Sequence, residues 1–212
     1  MSQDLAPNAA KKLGNYLARL EKEYGQIKLL PDAPPLEQVI YLILREFDDH
    51  KKAAKALAIL QREYVEWNEL RVATPKEIVA VLEEVKLTEL DDKISRILAV
   101  LSRLFYDFHK KDLEFVRLFE TPQRTKILLQ LEPMGLHLIY VLLQFFEDHS
   151  PEPEGLVISQ HAVNVVTRLG LMRKTSSLNI AKKLLEKIVP PKERVRFQYL
   201  IHRVDPKGEM AA

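Results

Sequence analysis

Residues 131–143 read LEPMGLHLIYVLL, a Pro-Met-Gly turn between two apolar runs. Proline cannot continue an α-helix from its interior, and glycine two residues on admits backbone angles closed to other residues. On the upstream side, Thr121-Pro122 sets a cap and a first-turn proline ahead of Ile127-Leu128-Leu129. On the downstream side the run from Leu136 to Phe146 is too short for a bilayer and carries Gln144. The stretch therefore predicts two helices joined by a tight turn, set in the most hydrophobic part of the chain.

Outward from that unit, helical spacing continues in both directions. Ile94, Ile97, Leu98, Leu101, Leu104, Phe105 and Phe108 fall on one face at a period of 3.6 residues. Thr74-Pro75-Lys76-Glu77 has the pattern of a capping box. Helices are predicted near 9–24, 36–46, 50–66, 75–84, 89–109, 112–119, 122–131, 137–147, 159–169, 177–188 and 192–203. No stretch alternates as a strand would, and there is no internal repeat. The fold class is all-α. Proline-rich segments at 30–35 and 150–155 mark boundaries, giving an N-terminal helix (1–34), a helical barrel (35–149) and a C-terminal lobe (150–212) that the first helix pairs with.

Composition removes several kinds of chemistry. With no cysteine there is no disulfide framework, thiol nucleophile or cysteine-held cluster. The six histidines lack ligand spacing, so neither a metal nor another cofactor is expected. A net charge of +2, from 32 basic and 30 acidic residues, means that affinity for nucleic acid must come from a local patch. The N-terminal MSQDLAPNAAKK has no apolar signal core and no run reaches membrane-spanning length, so the expected location is the cytoplasm, away from membranes.

Several stretches, in order, resemble the endonuclease III branch of the helix-hairpin-helix DNA glycosylases. The family's proline-led first barrel helix is similar to Pro35-Leu36-Glu37-Gln38-Val39-Ile40-Tyr41-Leu42-Ile43-Leu44-Arg45-Glu46. Its hairpin, L-P-G-V-G-x-K-T-A, is similar to Leu131-Glu132-Pro133-Met134-Gly135-Leu136-His137-Leu138-Ile139. The pattern V-D-T-H-V-x-R-V-x-x-R-L-G-L resembles residues 158–171, with His161 and Arg168-Leu169-Gly170-Leu171 kept. The stretch Leu184–Pro190 resembles the helix that ends in a Val-Pro turn. The resemblance implies a two-lobed, all-α fold with DNA held between the lobes.

It also implies a reaction this chain is not equipped for. The family uses a lysine after the hairpin to form a Schiff base at the sugar, and an aspartate to activate it. Those positions hold His137 and Ser159. Imidazole forms no iminium adduct, and a hydroxyl supplies no negative charge. A one-residue shift of alignment rescues nothing, because no lysine lies between Lys126 and Lys174. Where the family places a glutamine to fill the gap of a flipped base stands Glu46, followed by Asp48 and Asp49, and a carboxylate directed at phosphates is repelled. The cysteine loop for an iron–sulfur cluster is missing.

The turn at 133–135 has two readings: a worn phosphate clamp, with Pro133 in place of the first glycine and Gly135 kept, or a plain helix–helix connection. DNA-contacting candidates are Met134, Gly135, Leu136, His137, Arg173 and Lys174, within a basic C-terminal stripe that also includes Arg168, Lys182, Lys183, Lys187, Lys192, Arg194, Arg196 and Arg203. The plain reading of that stripe is a solvated helix face. Ser159 reads as an N-cap and His161 as a structural histidine; Trp67 and the stripe 94–108 read as core.

Three functions follow from this: a non-catalytic binder of duplex DNA, a divergent glycosylase in which His137, Glu132 or Asp148 takes over, and a scaffold for a protein partner. The oligomeric state stays open.

Overall fold

The computed structural model describes residues 5–26, 29–30, 32–146, 156, 158–175 and 177–204, with backbone alone at 121, 132, 136, 140 and 144. The chain divides into two units, one of residues 28–148 and one of 1–27 with 149–212. Both are helical, and no named strand occurs among the described residues.

The 28–148 unit is built on α2 (Pro35–Leu44), which packs against α3 (His50–Glu63), α6 (Leu90–Tyr106) and α8 (Leu136–Phe145). The sequence of α2, PLEQVIYLIL, has no polar face, and Leu36, Val39, Ile40, Leu42, Ile43 and Leu44 are all fully covered. A helix apolar all round is stable only when surrounded. Each of those side chains contributes roughly 1.5–3 kcal/mol by leaving water. Gln38, the buried amide on α2, accepts from Leu30 N at 2.9 Å and donates to the Leu30 carbonyl, fixing the proline-rich entry. α5 (Pro75–Leu82) opens on the expected capping box, Thr74 with Glu77, and Asp49 caps α3 through Lys52 N.

Three expectations are corrected here. A short helix, α4 (Trp67–Val72), follows α3. Six residues without a side-chain cap give too little period to be seen in sequence. The predicted α-helix at 112–119 is a 3-10 segment, Glu114–Leu118, started by Asp112 accepting from Glu114 N at 2.9 Å. On α6, Ile94, Ile97, Val100, Leu101 and Leu104 enter the core, but Phe105 stays 38% exposed and Trp67 is only half-buried. One residue beyond Leu104 the helix has turned about 100°, which takes Phe105 off the buried face.

The helix-turn-helix stretch is formed by α7 (Thr121–Gln130), a 3-10 turn at Glu132–Met134 and α8. The turn packs on α6.

In the other unit, α1 (Ala9–Tyr24) buries Ala9, Leu13, Tyr16, Leu17 and Leu20 and packs on α11 (Arg194–Ile201). Arg196 on α11 reaches Glu21 on α1 at 2.7 Å. α9 (Gln160–Arg168) and α10 (Leu178–Glu186) complete the unit, capped by Ser159 and Ser177. Gly170 explains the Arg-Leu-Gly-Leu stretch physically. At φ +64° it ends α9, with Gly170 N bonding Thr167 O and Leu171 N bonding Val166 O, a Schellman stop that buries Leu171.

Candidate functional site

The turn is held from behind by α6. Arg96 Nε donates to Pro133 O at 3.0 Å and Arg96 Nη2 to Met134 O at 2.7 Å. Two turns further along α6, Arg103 donates to Gln130 O at 2.8 Å, satisfying a carbonyl at the end of α7. The carbonyls on that side of the turn are thus taken by guanidinium groups. Gly135 follows at φ +97°, a conformation L side chains rarely adopt. A Cβ there would be strained by the angle and would meet His137 Cε1 at 2.9 Å and Arg96 Nη2 at 3.0 Å, so the two side chains would have to shift. α8 then begins without a side-chain cap. Its first N–H groups have no acceptor from an N-cap side chain and carry the positive end of the helix dipole.

Beside the turn lies an ion cluster that no sequence spacing reveals. Glu46, two residues past α2, is 9% exposed and receives Arg96 on both oxygens and His137 Nε2 on one. Because a carboxylate only accepts, His137 Nε2 carries the hydrogen. Asp92 adds a second carboxylate 3.6 Å from Arg96. Burial on its own would raise the Glu46 pKa. The hydrogen bond and charge of His137, and then those of Arg96, outweigh it and hold the group down at about 2. Burial likewise works against the charge on Arg96, and the Glu46 contact overcomes it, so that guanidinium is raised. The expectation that Glu46 projects toward a phosphate is therefore corrected: its carboxylate is turned inward and matched.

Asp48 is also internal. Lys93 Nζ lies 2.5 Å from Asp48 Oδ2 and 2.9 Å from Leu44 O, with both ionic side chains 1% exposed. Thr88 N donates to the same carboxylate at 2.9 Å. The pair joins α6 to the loop after α2, and its contacts are structural.

In the other unit, Ser159 Oγ accepts from Ala162 N at 3.1 Å and bonds His202 Nε2 at 2.7 Å. His202 Nδ1 faces the Gln198 carbonyl at 2.8 Å, which requires a hydrogen on Nδ1 and leaves Nε2 of the neutral ring to accept from the hydroxyl. The serine is an N-cap tied from both sides. Its partner is His202, which sequence reasoning did not single out. His161 stacks on His202 at 5.5 Å and bonds Ile201 O at 3.2 Å, a structural role.

The remaining candidates divide between the units. Met134 has a fully buried side chain, so only its backbone could meet a ligand, and its carbonyl is already engaged. Leu136 opens α8. Arg173 and Lys174, in the other unit, are exposed. The basic stripe is shorter than expected: Arg203 is buried against Tyr24 and Tyr199, and Arg196 is paired with Glu21 and Glu193. Asp148 and the side chain of Glu132 lie outside the described residues. Among those described, no cluster of three acidic or histidine residues could hold a metal, and no helix is long and apolar enough to cross a membrane.

No family model matches the chain, and no curated protein matches it. Among solved structures it is similar to a trapped endonuclease III–DNA covalent intermediate, an estranged-adenine complex, at 17% identity and a TM-score of 0.56. The match covers 91% of this chain and 84% of that one. At this identity the likeness establishes the fold, which is endonuclease III-like and all-α.

Proposed function

We propose that this chain holds duplex DNA without excising a base. The observation that carries the reading is the Glu46–Arg96–His137 cluster. The residue at the family's lysine position is engaged by the carboxylate that stands where a neutral wedge would be. An imidazole donating to a buried carboxylate is not a nucleophile for a sugar carbon. Ser159, at the aspartate position, is committed to capping α9 and to His202.

DNA binding is supported by what the turn keeps. Gly135 retains positive φ, and α8 starts without a side chain over its first amides. Those features suit a phosphate oxygen. Around them, one guanidinium is set against two carboxylates, Glu46 and Asp92. The clamp would therefore work through amides; Arg173 and Lys174, exposed on the other unit, are candidates for phosphate contact in their own right.

The test is binding to a labelled duplex, undamaged and abasic, across a salt series, followed by borohydride treatment of the abasic complex. Micromolar binding is expected, with a log–log salt slope of about −2 to −3 for two or three phosphate contacts. Replacing Arg173 and Lys174 by alanine should flatten the slope by about one per residue. No covalent adduct should form. An adduct would establish an active lyase, and absence of binding at low salt would end the DNA reading.

A further inference from the structure

The end of α6 carries a second feature, about 13 Å along the helix from Arg96 at 1.5 Å per residue. There, α4 and α6 flank a shallow recess, open to solvent, whose volume of about 10 Å3 holds no more than one water, with Trp67, Leu101, Leu104 and Phe105 as its apolar lining. The rest of the lining carries three cations, Arg71, Lys110 and Lys111, and no carboxylate. The Arg71 guanidinium lies over the Phe105 ring at 4.0 Å and 5.3 Å from that of Tyr106. Its hydrogen bonds go to two neutral oxygens, Asn68 Oδ1 at 3.0 Å and Tyr106 OH at 3.3 Å. Lys110 lies 5.7 Å from the ring of Phe115, and Lys111 stands 3.7 Å from Glu66, a well-exposed pair worth little in water. Around the recess Val72 is 66% and Tyr106 63% exposed.

A core helix gains nothing by showing Phe105, Tyr106 and Val72 together to solvent, and clustered exposed apolar groups mark contact surfaces. So shallow a recess encloses no metabolite, but a partner's side chain can lie across its aromatic wall. Trp, Tyr and Arg are also the residue types that dominate binding energy where two proteins meet. The three lining cations set the sign of the partner.

We infer that this surface is a docking site for an acidic segment of a partner protein, which lays one aromatic or aliphatic side chain across Trp67 and Phe105 while its carboxylates meet Arg71 and Lys110. Binding of DNA at the turn and docking here are separate properties, and either can fail alone.

Trp67 is the sole tryptophan of the chain, so its fluorescence reports this recess directly. A random peptide library selected on the full chain should yield sequences enriched in Asp and Glu around one large apolar residue. Tryptophan-free versions of those peptides should change Trp67 emission saturably. Binding should weaken about tenfold, the equivalent of ~1.4 kcal/mol, with Arg71→Glu or with Lys110→Glu. Lys110 is exposed, so that variant tests the site without risk to the core. Changing the peptide acids to lysine, or its anchor to alanine, should abolish the signal. Recovery of sequences with no acidic enrichment, or wild-type affinity in both variants, would overturn the inference. So would a Trp67 response to single-stranded oligothymidine that the peptides do not match, since the recess would then be a base-stacking platform.

Discussion

Replacing Glu46 by glutamine tests the cluster at the turn most directly. Folding depresses its pKa from 4.5 to about 2, worth about 3 kcal/mol at ~1.4 kcal/mol per decade. Because the folded value is the lower one, the unfolded chain takes up the proton first as pH falls. The stabilisation is therefore complete above about pH 4.5 and lost progressively toward pH 2, with about 1.4 kcal/mol gone by about pH 3.5. Glu46→Gln should cost about 3 kcal/mol near neutral pH, the lower end for breaking a buried pair, since Arg96 keeps its two carbonyl acceptors. At about pH 3.5 the gap between wild type and variant should shrink to roughly half. Urea unfolding followed by Trp67 emission reports the unit that contains the cluster, and comparison with the variant cancels the titration of every other carboxylate. A gap constant to within about 0.5 kcal/mol between those pH values would refute the reasoning, because Glu46 would then not be the group whose proton is linked to folding.

Two further variants probe the frame around the site. Lys93→Met should destabilise by about 3–5 kcal/mol by leaving Asp48 charged and enclosed, whereas Lys93→Met combined with Asp48→Leu should recover most of that loss in the same unfolding assay. Gly135→Ala should cost about 1–3 kcal/mol from positive φ and the close approach of His137 and Arg96. It should also abolish DNA binding in the gel assay while the circular dichroism of the helices is retained. Wild-type affinity in that variant would mean that the turn is only a connection.

The amino-acid order by itself determined the longer helices and the caps at Thr74 and Ser159, because caps and helical period are local properties of consecutive residues. The resemblance of residues 131–139 and 158–171 to family motifs singled out His137 and Ser159, because such motifs are spacings along the chain. Tertiary structure decided what those residues touch. Glu46, Arg96 and His137 come from three separated segments, so no spacing along the chain links them. The same holds for Asp48 with Lys93 and for Ser159 with His202. The resemblance placed Glu46 facing DNA phosphates, where the family has a glutamine that fills the gap of a flipped base. Only packing against α6 and α8 supplied the guanidinium and the imidazole that let it stay inside.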